Sequence, residues 1–245
     1  MKIMIGVMGS VAGFDANAAE LSYQLGRAIA EHDCAIVTGA CPGLPYDAVR
    51  GAKDTGGLTV GVSPGHNFAE HTIKYESPWE GFDVIIYTGS GLMGREITGV
   101  RSCDIVIVVG GRSGTLGEFS IAYDEGKLIG VLRGTGGIAD HINELVGVIN
   151  KETGAQVVED GDPHRLIVRL MELYIARRLA ARGHDLPAIL PDCDEHACRS
   201  VESIETAIAD MEAEILRIQG IIAEQRKRLD AFRDVAMMGS GEAKG

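Results

Sequence analysis

The chain has 245 residues, a formal net charge of −12 and a hydrophobic content of 45%. A chain of this size can bury a substantial core in one domain and still carry an appended segment. The acidic balance argues against non-specific binding to nucleic acid or to an anionic membrane surface, both of which need a basic face. A local basic pocket for one small anion is compatible with this charge.

The cysteines and the first residues bear on the cellular compartment. Five cysteines are an odd number, and several lie in or beside apolar runs, which is typical of a reducing compartment rather than a disulfide framework. The opening KIMIGVMG is too short for a signal peptide, and no run approaches the roughly 18 apolar residues of a membrane span. We therefore expect a soluble, cytoplasmic protein.

Short apolar runs alternate with longer stretches of helical periodicity. The runs are KIMIGVM (2–8), CAIVTG (34–39), LTVGV (58–62), VIIY (84–87), IVIVV (105–109) and LIGVL (128–132). Continuous apolar runs are typical of strands that are buried on both faces. Strands that alternate with helices predict an α/β fold, a Rossmann-like doubly wound parallel sheet over residues 1–183.

Glycine-rich turns follow four of the predicted strands: GSVAG (9–13), GACPGLP (39–45), GSGLMGRE (89–96) and GGRSGT (110–115). In such folds ligands bind beyond the carboxyl ends of the strands. A single glycine-rich turn is weak evidence, because tight turns use glycine anyway. Four of them on one edge of a sheet indicate a ligand with a phosphate group.

The stretch GGRSGTLGE (110–118) predicts a loop followed by a helix that starts at Thr115. Free backbone N–H groups and the positive end of the helix dipole make such a start an anion site. The hydroxyls of Ser113 and Thr115 can donate to phosphate oxygens. Glu118 either lies deeper, facing a developing positive charge, or is the acidic partner of a capping box whose cap is Ser113 or Thr115.

Arg95 lies near the start of the helix predicted after GSGLMG (89–94). A cation is unfavourable near the positive end of a helix dipole. Its position therefore indicates an anionic partner, either a ligand phosphate or Glu118. The alternative is an arginine that is exposed to solvent.

The stretch GREITGVRSCDIVIVVGGRSGTLGE (94–118) resembles the LOG (Lonely guy) phosphoribohydrolases of the SLOG superfamily, which have also been labelled lysine decarboxylases. Their motif is an R-K-x-x-M helix, a strand led by Asp, and P-G-G-x-G-T-x-x-E. Counted back from Asp104, Arg95 falls on the motif arginine and Glu118 on the motif glutamate. The resemblance covers residues 1–150, and it is looser in the N-terminal half.

Three positions depart from that motif: Gly110 replaces the proline, Arg112 replaces the second glycine, and Glu96 replaces the lysine. Arg112 adds a positive charge to the loop, which suits a phosphate. Glu96 removes a positive charge from the same region.

The resemblance implies hydrolysis of a nucleoside 5′-monophosphate, or a related phosphate-bearing molecule, to free base and ribose 5-phosphate. It places Arg95 and Glu118 at the chemistry, where a carboxylate stabilises the oxocarbenium-like charge on the ribose. It implies neither a metal nor a cofactor. The residues that it assigns to phosphate and ribose are Gly9, Ser10, Gly39, Gly43, Gly111, Arg112, Ser113, Gly114 and Thr115.

Two other classes of function stay open. One is a non-catalytic nucleotide sensor or molybdenum-cofactor carrier on the same fold, which the departures at Glu96 and Arg112 favour. The other is an interaction protein whose C-terminal segment is its main functional part.

The C-terminal region has a different pattern. Asp162 and Pro163 predict the cap and first residue of a helix that closes the domain. Residues 184–198 are expected to form a linker and residues 236–245 a disordered tail. Apolar residues at heptad spacing over residues 199–235 predict a coiled coil that joins subunits into a homo-oligomer, or else a helix that folds back on its own domain.

Overall fold

The computed structural model describes residues 2–180. The strands are β1 (Met4–Gly9), β2 (Ala35–Thr38), β3 (Leu58–Ser63), β4 (Val84–Tyr87), β5 (Ile105–Val109), β6 (Leu128–Leu132) and β7 (Gln156–Asp160). The α-helices are α1 (Ala16–Glu31), α2 (Leu44–Asp54), α3 (Gly91–Arg101), α4 (Ser113–Asp124), α5 (Ile142–Ile149) and α6 (Pro163–Ala180). A π-helical turn covers Glu70–Lys74, and a 3-10 helix covers Gly137–His141.

The strands form one parallel sheet in the order β4-β3-β2-β1-β5-β6-β7, which confirms the predicted doubly wound α/β fold. The chain builds outward from β1 to β4, then crosses to the other side of β1 and adds β5, β6 and β7. The direction of building reverses between β1 and β5. In open α/β sheets a crevice forms at such a point, beyond the carboxyl ends of the strands.

Helices cover both faces of the sheet. One core includes Leu25, Leu44 and Leu166, from α1, α2 and α6. The other includes Phe119 of α4 and Ile142 of α5. Every residue of β5 is fully buried between these two layers, which is why its sequence is an unbroken apolar run.

Some element bounds differ from the prediction. The strand β7 was not predicted, because QVVED is an edge strand with only partial burial and has no continuous apolar run. The helix α4 begins at Ser113, two residues before the predicted start at Thr115. The cap of α6 is as predicted: Oδ1 of Asp162 accepts from the N–H of Arg165 at 2.8 Å.

The domain end at residue 183, the linker 184–198, the coiled coil 199–235 and the tail 236–245 lie outside the described residues and stay predictions. Among residues 2–180, no helix combines the length and the apolar character that crossing a membrane requires.

Gly9 ends β1 in close contact with β5, where a Cβ atom would overlap the carbonyl oxygen of Val109. We expect Gly9→Ala to lower the free energy of unfolding by roughly 1–3 kcal/mol, because overpacking against a backbone atom forces the strands apart. Urea denaturation measures this change. Gly147→Ala on α5 is the matched control, since no atom lies within 4 Å of its added Cβ. Equal stability of the two variants would contradict the close approach at Gly9.

Candidate functional site

A cavity of about 380 Å³ lies at the carboxyl ends of the central strands, where the order of the sheet reverses. It is lined by side chains and backbone from β1, the turn after β2, α3 and the start of α4. The predicted site residues that line it are Gly9, Ser10, Gly39, Arg95, Arg112, Gly114, Thr115 and Glu118. The sheet thus brings together two halves of the site that are about a hundred positions apart in the sequence.

Three predicted residues lie outside the lining of this cavity. Gly43 precedes α2 and packs against the backbone of Ser10, where a side chain would collide. Gly111 donates its N–H to Oγ of Ser10 at 2.6 Å, so this donor is already used. Ser113 is the first residue of α4. Gly43 and Gly111 thus support the cavity wall from behind, whereas Ser113 lies at the helix start beside the cavity.

Ser10 connects three segments around the cavity. Its N–H donates to the carbonyl of Val109 at 3.1 Å, and its own carbonyl accepts from the N–H of Leu44 at 2.9 Å. Its Oγ accepts from Gly111. The hydroxyl hydrogen of Ser10 is therefore left to donate toward a ligand, while the backbone of this residue fixes the relative positions of β1, β5 and α2.

The start of α4 presents backbone donors to the cavity. Its N-cap residue is Arg112, and no side chain caps the helix. The first N–H with a helical acceptor is that of Leu116, which donates to the carbonyl of Arg112 at 2.9 Å. The N–H groups of Ser113, Gly114 and Thr115 precede it and have no helical acceptor. Together with the helix dipole, these donors favour an anion.

Arg112 replaces a motif glycine without backbone strain. Its φ is −130°, in the extended region that any residue adopts. Its guanidinium lines the cavity, and Nη2 lies 3.4 Å from the carbonyl oxygen of Ala12. A positive charge is thereby placed beside the donors of α4.

Glu118 is 8% exposed and lines the cavity. Burial raises the pKa of its carboxyl to about 7; the nearby Arg95 opposes this shift and Glu96 adds to it. The capping box is not formed, because Glu118 lies in the second turn of α4 and the helix has no side-chain cap. Its side chain is therefore free for another role.

Arg95 is half-buried in the cavity wall rather than exposed to solvent. Its Nη1 donates to the carbonyls of Gly39 and, at 3.3 Å, Val62, and Nη2 lies 3.3 Å from Sγ of Cys41. Its Nε is buried without a hydrogen-bond partner in the described structure. Gly39 has no side chain because the guanidinium occupies that space. The charge is thus held by carbonyls at the strand ends, close enough to Glu118 to affect its pKa.

Glu96 is a cavity residue that the sequence reasoning treated only as a departure from a motif. It is 8% exposed, and burial raises the pKa of its carboxyl, while Arg95 opposes this shift. The sequence did contain a signal for Glu96: it follows Arg95 directly, so the two residues lie on the same turn of α3. Cys41, in the turn after β2, and Pro45, in the first turn of α2, also line the cavity.

A long connection, residues 63–82, leads from the end of β3 to β4, and its aromatic residues do not line this cavity. Phe68 and Trp79 pack edge to face with ring centroids 5.8 Å apart. His71 is fully buried, with Nδ1 2.9 Å from Oγ of Ser63 and Nε2 2.9 Å from the carbonyl oxygen of Pro78. The carbonyl can only accept, so Nε2 donates and Nδ1 accepts from the serine. Among residues 2–180, no three His, Cys, Asp or Glu side chains converge as metal ligands.

The fold is similar to that of several solved structures, among them two molybdenum cofactor proteins. The molybdenum cofactor binding protein from the phototrophic bacterium Rippkaea orientalis is 29% identical, with a TM-score of 0.60 over 71% of this chain and 98% of that chain. The molybdenum cofactor carrier protein MCP from Chlamydomonas reinhardtii is 26% identical, with a TM-score of 0.57 over 71% of this chain and 99% of that chain.

Two sequence comparisons bear on the family of the chain. An uncharacterized protein from Archaeoglobus fulgidus is 34% identical over 134 residues, which are 54% of this chain and 82% of that protein. The family model described as the SLOG cluster4 family matches residues 2–167, which include every element that lines the cavity. The chain belongs to the SLOG cluster4 family.

Proposed function

We propose that the protein hydrolyses the N-glycosidic bond of nucleoside 5′-monophosphates and releases free base and ribose 5-phosphate. The observation that carries this proposal is Glu118, a buried carboxyl in the cavity wall beside the uncapped start of α4. An anion site and a carboxyl at one cavity are what this reaction requires: one holds the phosphate, and the other faces the ribose.

The phosphate would bind at the start of α4. The N–H groups of Ser113, Gly114 and Thr115 and the hydroxyl of Ser10 are its donors, and Arg112 supplies positive charge. Gly9 and Gly39 also line the cavity and would border the ribose. The groups assigned to phosphate and ribose are thus residues that line the cavity and the backbone N–H groups at the start of α4.

Glu118 would act during bond cleavage. As the base departs, positive charge develops on the ribose, and an ionised carboxylate in a buried setting stabilises that charge strongly. Water then bonds to the anomeric carbon and loses a proton, while the departing base gains one, so the reaction balances as a hydrolysis. Arg95 orients this region from the wall and keeps part of the Glu118 population ionised at neutral pH.

A second candidate function is the binding of a nucleotide or of the molybdenum cofactor without chemistry. Two observations favour it: the similarity to molybdenum cofactor binding and carrier proteins, and the carboxyl of Glu96 in a position where the resembling hydrolases have lysine. Homo-oligomer formation, a cytoplasmic location and the absence of nucleic-acid and membrane partners also stay predictions.

A panel of purine and pyrimidine 5′-monophosphates tests both candidates. The full-length protein is incubated with each nucleotide, free base is quantified by chromatography, and binding of the same nucleotides is measured by calorimetry. Release of base from at least one nucleotide supports the hydrolase. Binding without release across the panel overturns it and favours the carrier function.

A further inference from the structure

Glu96 and Glu118 are two cavity carboxyls that have no hydrogen-bond or ion-pair partner among residues 2–180. Each is 8% exposed and lines the cavity. Of the unpartnered side-chain atoms in residues 2–180, only Nε of Arg95 is fully enclosed, so the oxygens of both carboxyls are open to the cavity. Carboxyls in largely buried residues are normally hydrogen-bonded or paired, and here only the contents of the cavity can supply the partner. Two such groups at one cavity indicate a ligand that brings positive charge or donors to them.

Glu96 lies directly beside the proposed phosphate position. A Cβ atom added at Gly114 would be 3.4 Å from Oε1 of Glu96, and one added at Gly117 would be 3.2 Å from Oε2. The carboxyl therefore packs against the first turns of α4, on a face that these two glycines keep clear. The backbone donors of the same helix start are those that suit a phosphate.

The charges at this cavity do not balance with a phosphate alone. Where the carboxyls of Glu96 and Glu118 are both ionised, which their raised pKa values place at higher pH, a phosphate dianion together with them outweighs the positive charges of Arg95 and Arg112. An ionised Glu96 and a phosphate on the same helix turn would repel each other. A divalent cation between them removes the repulsion and balances the remaining charge.

We propose that the phosphate-bearing ligand binds as a complex with a divalent cation such as Mg²⁺, and that Glu96 is the protein ligand of this cation. Mg²⁺ is commonly held by one or two carboxylates together with substrate phosphates, and it keeps several water molecules. Because no three side chains of the usual ligand types converge in residues 2–180, the phosphate has to complete the site. Cation and phosphate therefore bind together. Glu118 stays available to the ribose.

This inference rests on the proposed phosphate position at α4, but not on hydrolysis. The test uses ribose 5-phosphate, a probe that contains the phosphate and lacks a base. Its Kd for the full-length protein is measured by calorimetry in millimolar Mg²⁺ and again in EDTA. We expect Mg²⁺ to tighten binding by about tenfold or more, and Mg²⁺ without the probe to bind far more weakly.

Two variants of Glu96 make the test specific. Glu96→Gln keeps the shape of the side chain and should lose the effect of Mg²⁺. Glu96→Lys supplies the positive charge directly, so it should bind ribose 5-phosphate in EDTA about as tightly as the unaltered protein does in Mg²⁺. Glu172→Gln, an exposed position on α6, is the control and should keep the full Mg²⁺ effect.

The outcomes separate the two proposals. Equal affinity in Mg²⁺ and EDTA, or a Glu96→Gln variant that keeps the Mg²⁺ effect, overturns the cation site. No binding of ribose 5-phosphate in either medium overturns the phosphate position and the cation site together. Mg²⁺-dependent binding without release of base from any nucleotide supports the cation site and overturns only the proposed hydrolase activity.

Discussion

Glu118→Gln is expected to lower kcat/KM for base release by about 100- to 1,000-fold, because it removes a preorganised negative charge from the transition state. The affinity for ribose 5-phosphate should change little, since the proposed phosphate donors are at the start of α4 and do not include Glu118. Chromatographic assay of released base measures the rate, and calorimetry measures the affinity. Glu172→Gln controls for the chemical change at an exposed site and should keep the full rate. A Glu118→Gln variant that releases base at the normal rate would remove Glu118 from the chemistry.

The same role predicts the pH dependence of the reaction. Only the ionised carboxylate can stabilise positive charge on the ribose, and burial raises the pKa of Glu118 to about 7. The kcat/KM should therefore rise with pH through about 7 and level off above it. A rate that rises with a midpoint near 4.5, the ordinary value for this carboxyl, would show that Glu118 is not the group whose ionisation controls the reaction.

The second large effect concerns stability: Glu118→Gln is expected to stabilise the protein by about 3 kcal/mol at about pH 8 and to change little at about pH 4. The pKa of Glu118 rises from 4.5 in the unfolded chain to about 7 in the folded protein. The folded protein therefore binds more protons between these values, and its stability falls as the pH rises through them. Glutamine has no charge to bury, so the variant escapes this loss.

Urea denaturation at a series of pH values measures the difference between the two proteins. Glu172→Gln should give a difference that does not vary with pH, because this side chain is exposed. A Glu118→Gln variant that is destabilised at high pH would mean that the ionised carboxylate has a stabilising partner in the folded protein. A lower kcat/KM together with a higher free energy of unfolding in Glu118→Gln would show that this carboxylate serves the reaction and destabilises the fold.

The strands β1 to β6 were predictable from sequence because each is a short apolar run, including the edge strand β4, where Val84 and Ile86 are exposed. The strand β7 was not, since its exposed positions break the run at the edge of the sheet. The start of α4 was misplaced by two residues because its N-cap is Arg112, a residue type that gives no capping signal. Local pattern therefore predicted the strands with continuous apolar runs better than the mixed strand β7 and the helix ends.

The site was predictable as a set of strand ends, but the distribution of roles within it was not. Gly111 was assigned to the ligand, yet its N–H is used by Ser10, a contact between residues that are 101 positions apart. Glu96 was identified as a substitution, but only the packing of α3 against α4 reveals that its carboxyl lies against Gly114 and Gly117. Such facts depend on which segments meet in space, which no local pattern encodes.

The reversal of the sheet order between β1 and β5 also affects when the site can exist during folding. The β1–β5 pairing and the Ser10–Gly111 hydrogen bond join the beginning of the chain to residues that follow about a hundred positions later. Contacts of such long sequence separation close large loops and form slowly. The cavity at the ends of β1 and β5 is therefore completed only when the two halves of the sheet have joined. In a refolding experiment, ligand binding should return with the last cooperative step of assembly and not with the early formation of helices.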